Sequence, residues 1–207
     1  MNIVFDFGAV LFSWKPGALL LRTFPEHIRT DEEAAHLSHQ VFGHPDWHDF
    51  DRGVLDADVV IARTAERLDL PLASMGDLVH GIAERLTPIA ETVAVLQLLH
   101  QRRQAGDGVD GLYFLSNMPL PYARFLEHQH SFMQWFDGGI FSGDVLHIKP
   151  DPAIYQLLQS RYGLVPEHTV FIDDLKANVK AAQSVGWQGI HFESPQQLQA
   201  DLVLLGL

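Results

Sequence analysis

Apolar residues along the chain fall into two patterns. Short continuous apolar runs, bounded by polar or small residues, read as strands buried on both faces of a parallel sheet. The runs are Ile3-Val4-Phe5, Leu112-Tyr113-Phe114-Leu115, Thr169-Val170-Phe171-Ile172 and, more weakly, Gly189-Ile190-His191-Phe192, with Gly139-Ile140-Phe141 as a fifth. Between them the apolar positions switch to helical spacing: Ile89, Val93, Leu96; then Ile154, Leu157, Leu158, Tyr162; then Val179, Ala182, Val185 before a stop at Gly186. Strands alternating with helices predict an α/β fold, a Rossmann-like parallel sheet flanked by helices.

Residues 15–87 break this alternation. They contain no strand pattern, only helical ones: Ala34, Leu37, Val41; Ile61, Ala65, Leu68; Leu78, Ile82, Leu86. Pro25, Pro45, Pro71 and Pro88 punctuate them. The reading is a small helical cap, 15–87, inserted after the first strand of a core made of 1–14 and 88–207. Gln104 to Asp110 reads as a surface loop, and there is no internal repeat or low-complexity tract.

Composition narrows the function. Of 207 residues 47% are hydrophobic and only 19% charged, which supports a packed core and excludes a disordered class. Twenty-six acidic against fourteen basic residues leave a net charge of −12. So acidic a chain repels a phosphate backbone, which argues against nucleic acid as a partner. The absence of cysteine excludes disulfides, thiolate zinc sites and thiol nucleophiles. The apolar stretch Met1 to Leu11 carries Asp6 in its middle and no basic lead, unlike a signal peptide or a membrane span. A cytoplasmic protein with no membrane partner is expected, its oligomeric state open.

Three predicted strands end in polar groups: the first in Asp6, the second in Ser116-Asn117, and the Thr169 strand in Asp173-Asp174. Ligands of open parallel sheets sit at the carboxyl ends of strands, so these groups should converge on one crevice. Burying a carboxylate after an apolar strand costs several kcal/mol, roughly, unless a cation or donor meets it. Three carboxylates there suit a hard cation such as Mg2+. Lys149 precedes Pro150-Asp151-Pro152, a predicted helix start, and is placed to reach the same point. Simpler roles stand beside these: Asp174 as the cap of the next helix, Ser116-Asn117 as a self-capped turn, Lys149 as a solvated lysine.

Four motifs, in order along the whole chain, carry a resemblance. Val4-Phe5-Asp6-Phe7-Gly8-Ala9-Val10-Leu11, Leu115-Ser116-Asn117, Lys149-Pro150-Asp151-Pro152-Ala153-Ile154-Tyr155, and Phe171-Ile172-Asp173-Asp174 with Asn178 resemble those of the haloacid dehalogenase-like hydrolases. Asp51-Arg52-Gly53, followed by a helical pattern, resembles the cap of the subgroup capped after the first motif. Within the superfamily the chain is most similar to small bacterial phosphatases of sugar phosphates such as glucose 1-phosphate. The resemblance implies a Mg2+-dependent phosphatase acting on a small phosphorylated metabolite through an aspartyl-phosphate. Asp6 would be the nucleophile. Asp6, the backbone carbonyl of Gly8, and Asp173 would hold the metal, with Asp174 helping. Ser116 and the Asn117 amide would bind the phosphate, and Lys149 would place a fixed charge on it and on Asp6.

Departures from the pattern matter as much. The acid usual two residues after the nucleophile is Gly8, the usual glycine and threonine after it are Ala9 and Val10, and an acid common in the fourth motif is Ala177. Proton transfer to the leaving group is therefore unassigned. His48 in the cap is a candidate donor and substrate contact; Trp47 either stacks on substrate or packs the cap. His36, His39, His44 and His48 have no clean metal-ligand spacing, and His128 and His130 read as solvated. Alternatives to a phosphatase are a metal-independent haloacid dehalogenase and a non-catalytic binding protein of the same fold.

Overall fold

The computed structural model describes residues 1–207. Strand β1 (Asn2–Phe5) is followed by six helices: α1 (Pro16–Thr23), α2 (Asp31–Phe42), α3 (Pro45–Asp51), α4 (Ala57–Leu68), α5 (Leu72–His80) and α6 (Ile82–Arg85). The alternating part then runs α7 (Ala90–Gln104), β2 (Gly111–Ser116), α8 (Leu120–Gln129), β3 (Gly138–Phe141), α9 (Pro152–Tyr162), β4 (Thr169–Asp173), α10 (Lys176–Ser184), β5 (Gln188–His191) and α11 (Pro195–Leu204). All five expected strands form. Helices α1, α3, α8 and α11 have no counterpart in the sequence reading, and the Leu78-Ile82-Leu86 pattern is divided at Gly81 between α5 and α6.

The strands make one parallel sheet in the order β3-β2-β1-β4-β5. Side chains alternate between its faces. Ile3 and Phe5 join one apolar cluster with α7, α11 and the inserted helices, and Val4 joins the other with α9 and α10. The sheet is thus covered on both sides, which is why its strands are almost wholly apolar. The chain runs from β1 through β2 to β3 on one side and then crosses from β3 to β4 on the other side of β1, a reversal of strand order that opens a crevice at the strand ends. Phe5 pairs with Phe114 and Ile172, so the next residues, Asp6 and Asp173, emerge level with each other.

The inserted helices are entered and left through a short stem. Ser13 N–H donates to Thr87 O at 2.7 Å and Ile89 N–H to Leu11 O at 2.8 Å. Helix α2 starts on a capping box in which Thr30 accepts from Glu33 N–H and the Glu33 carboxylate accepts from Thr30 N–H. No helix is long and apolar enough to cross a membrane.

Candidate active site

The carboxyl ends of four strands supply the site. Asp6 follows β1, Ser116 ends β2, Lys149 lies in the loop after β3, and Asp173 ends β4. Lys149 is buried, its Nζ 2.7 Å from Asp6 Oδ1 and 2.7 Å from Asp173 Oδ2, so it is not a solvated lysine. The Asn117 side chain holds the lysine's loop in place. Its Nδ2 donates to Lys149 O at 2.9 Å and its Oδ1 accepts from Lys149 N–H at 2.7 Å. Asn117 therefore clamps another loop rather than capping its own turn. Ser116 is buried at the cavity floor, and its hydroxyl makes no hydrogen bond within the protein.

The two neighbouring acids of β4 differ in their surroundings. Asp173 is saturated: besides Lys149, it accepts from Leu175 N–H at 2.8 Å and from Asn178 Nδ2 at 3.0 Å on each oxygen. The turn into α10 is thus bonded by Asp173, and Asp174 caps nothing. The Asp174 carboxylate takes no hydrogen bond from another residue and faces the cavity.

Oxygens of Asp6, Asp173 and Asp174 lie within 4.8 Å of one another. Burial pushes the Asp6 carboxyl up to about 8, with Lys149 opposing and Asp173 adding to the rise. Burial and then Asp173 push Asp174 up to about 6. Burial lowers Lys149, but Asp173 and Asp6 outweigh it and hold the ammonium above its ordinary value. Three carboxyl groups thus share one ammonium, and the upward push on Asp6 and Asp174 is one that a hard divalent ion would relieve. The donor set, carboxylate oxygens with a neighbouring backbone carbonyl at Gly8, fits such an ion.

A cavity of about 460 Å³ rises from this floor. Its wall is largely apolar: Trp14, Phe42, Trp47, Ile82, Leu86 and Met118 line it. Of the two roles expected of it, Trp47 fills the packing one. It is buried edge-on between Phe42, at 4.7 Å, and Phe50, at 5.4 Å, and it also forms part of the wall. His48 reaches the cavity, while His44 Nδ1 accepts from Asp46 N–H at the start of α3. The four cap histidines do not gather; the three aspartates form the only candidate metal cluster. His130 corrects the sequence reading. It is half-buried, its ring 5.2 Å from Phe12, because α8 delivers it onto the core, whereas His128 on the outer face is exposed. Asp51, treated in the sequence only as a marker of the cap, also lines the cavity. Its signal was a carboxylate one residue after an apolar position, Phe50, and one turn after Trp47 and His48.

Comparison with known proteins agrees with this geometry. The sequence matches the family described as haloacid dehalogenase-like hydrolase over residues 15–186. The chain belongs to that family. It is an enzyme of hydrolytic type, and phosphatases recur among its curated relatives. A sesquiterpene phosphatase of Aspergillus oryzae is 28% identical over 91% of this chain and 87% of its own length. A drimenol cyclase of Aspergillus calidoustus is 24% identical over 97% of this chain, which spans only 35% of that longer protein. A family enzyme of Bacteroides thetaiotaomicron, crystallised with magnesium and inorganic phosphate, shares the fold with a TM-score of 0.70 at 17% identity, over 93% of each chain.

Proposed function

We propose that the protein is a Mg2+-dependent, cytoplasmic phosphatase that hydrolyses a small phosphorylated metabolite through an aspartyl-phosphate on Asp6. The observation that carries this reading is the buried Lys149 bridging Asp6 and Asp173, with Asp174 left open beside them. A dehalogenase needs no cation, and three carboxylates with one ammonium are costly without one. Asp6, the Gly8 carbonyl and Asp174 would hold Mg2+; Asp173, which the resemblance made the principal ligand with Asp174 only helping, has both oxygens taken by Lys149, Leu175 and Asn178 and would instead anchor Lys149. When bound, the ion supplies the positive charge that lets a carboxylate approach a phosphate.

The chain's own groups divide the work. The Asp6 carboxylate attacks phosphorus as the ester P–O bond breaks, and water later cleaves the acyl phosphate. Lys149 neutralises charge on the transferring group, and the Ser116 hydroxyl and Asn117 backbone N–H donate to its oxygens. Residues 15–87 act as a cap that closes the cavity over the core of 1–14 and 88–207.

The cavity wall narrows the substrate. On the cap side a sugar would find few groups to bond, His48, Asp51 and the indole N–H of Trp47, and Tyr122 Oη already donates to Val79 O at 2.6 Å. The indole and aliphatic surfaces favour an ester whose organic part is apolar, in keeping with the sesquiterpene phosphatase among the relatives. Sugar phosphates are the competing class. The test is release of inorganic phosphate from sugar phosphates, nucleotides, alkyl phosphates and prenyl phosphates, with Mg2+ and with EDTA. Turnover should need Mg2+, be highest for the apolar esters, and fall at least about 10³-fold in Asp6→Asn, as for loss of a covalent nucleophile. EDTA-insensitive dehalogenation of 2-haloacids would instead establish a dehalogenase.

A further inference from the structure

We propose that Asp51, delivered by the cap, is the proton donor to the leaving group and, on the return step, the base that activates water. It would replace the acid that Gly8 cannot supply, and the proposal rests on the phosphatase reading above. Asp51 ends α3 and lines the same cavity as Asp6, Gly8 and Lys149. Its carboxylate makes no hydrogen bond or ion pair, although cations are near. The Arg52 guanidinium turns away to Asp49, and the Lys149 ammonium is taken by Asp6 and Asp173. Tyr122 donates elsewhere, to Val79 O. Burial then pushes the Asp51 carboxyl up to about 8, against the pull of Lys149, so at neutral pH it holds its proton. His48, the other cap candidate, is driven the opposite way by burial and by Arg52, which disfavours the protonated imidazolium a donor would need.

The position of Asp51 is fixed from the core. The buried Ser142 hydroxyl, just past β3, donates to the Asp51 backbone carbonyl and accepts from Met118 N–H at 2.8 Å. Two residues on, Gly53 has φ +79°, and a Cβ there would lie 2.6 Å from Gly143 O. Only glycine allows this approach, so Asp51-Arg52-Gly53 is the point where the cap is keyed to the sheet. At Gly8, by contrast, an added Cβ would make only ordinary contact with Trp14, at 3.8 Å.

The chemistry balances. As Asp6 Oδ bonds to phosphorus, the ester P–O pair leaves with the organic oxygen, which takes the Asp51 proton and departs as the alcohol. The Asp51 carboxylate then removes a proton from the water that attacks phosphorus. The P–O bond to Asp6 breaks, phosphate leaves, and both carboxyls return to their starting states.

The test compares kcat/KM, which reports steps up to leaving-group departure, for p-nitrophenyl phosphate and n-octyl phosphate in the Mg2+-loaded protein. General acid help is worth about 10²–10⁴ for a poor leaving group and little for nitrophenolate. Asp51→Asn should lower kcat/KM for octyl phosphate about 10²-fold or more and that for the aryl ester less than about tenfold. It should also leave a burst of nitrophenolate, because water attack is slowed. Asp51→Glu, which keeps the acid, should recover part of the octyl rate, and thermal melting of each variant separates misfolding from chemistry. Equal loss on both esters, or no loss on either, overturns the role of Asp51 while leaving the phosphatase intact. If wild type hydrolyses neither ester, the phosphatase reading itself is overturned.

Discussion

At the scale of single residues, Asp173 and Asp174 are adjacent yet do different work. Asp173 accepts from Lys149, Leu175 and Asn178, so removing it leaves buried donors unpaired. Asp173→Ala should therefore lower the melting temperature even without metal. Asp174 takes no hydrogen bond from another residue and is pushed up by burial and by Asp173. Asp174→Asn should hold or raise the metal-free melting temperature while increasing the Mg2+ needed for half-maximal activity about tenfold or more. The reverse pattern, measured by melting curves and Mg2+ titration of activity, would exchange the two roles. Ala9 carries a different strain. Its φ of +58° is left-handed, a conformation that costs a residue with a Cβ about 1–2 kcal/mol. Ala9→Gly should then raise stability by up to about 1 kcal/mol, and urea unfolding showing a loss instead would mean that the Ala9 methyl packs usefully.

Elements matter where one is keyed to another. Helix α3 meets the loop after β3 at Gly53 and Gly143, and its Asp51 carbonyl accepts from Ser142. Gly53→Ala introduces both a clash with Gly143 O and an unfavourable φ, together on the order of 1–3 kcal/mol. Because a misplacement of about 1 Å can cost on the order of 10²-fold in rate, kcat/KM should fall by about that much along with a drop in melting temperature. Unchanged kinetics would show that the cap docks by other contacts. Two of the elements missed from the sequence have clear physical signatures in hindsight. Helix α11 opens on Ser194-Pro195-Gln196-Gln197, a capping box with proline in its first turn. Helix α8 buries Tyr122, Ala123 and Leu126 and leaves a polar outer face.

For the molecule as a whole, the site couples to stability through its charge. A cation that binds only the folded protein stabilises it by about 2.7 kcal/mol at a hundredfold excess over its Kd. For a chain of this size that raises the melting temperature by about 5–10 °C. EDTA should reverse the shift; no Mg2+-dependent shift together with EDTA-insensitive turnover would remove the metal from the mechanism. The sequence alone determined the parallel sheet, because strands buried on both faces must be continuously apolar, and it located Asp6, Ser116 and Asp173, because polar groups ending such strands stand out against them; Lys149 stood out only by the Pro150-Asp151-Pro152 helix start that follows it. The sequence ranked Asp173 ahead of Asp174 as a metal ligand without sight of the surroundings, since which carboxylate is saturated depends on where Lys149 and Asn178 arrive from other elements. It could not show that Asn117 clamps the Lys149 loop, that His130 lies against Phe12, or that the cavity wall is apolar. The cap residues Trp47, His48 and Asp51 are neighbours in sequence, but their placement over Asp6 was decided by tertiary structure, through the close approach of Gly53 to Gly143 and the hydrogen bond from Ser142. Local periodicity records which face of a helix is buried, and only packing between distant segments decides what that face is buried against.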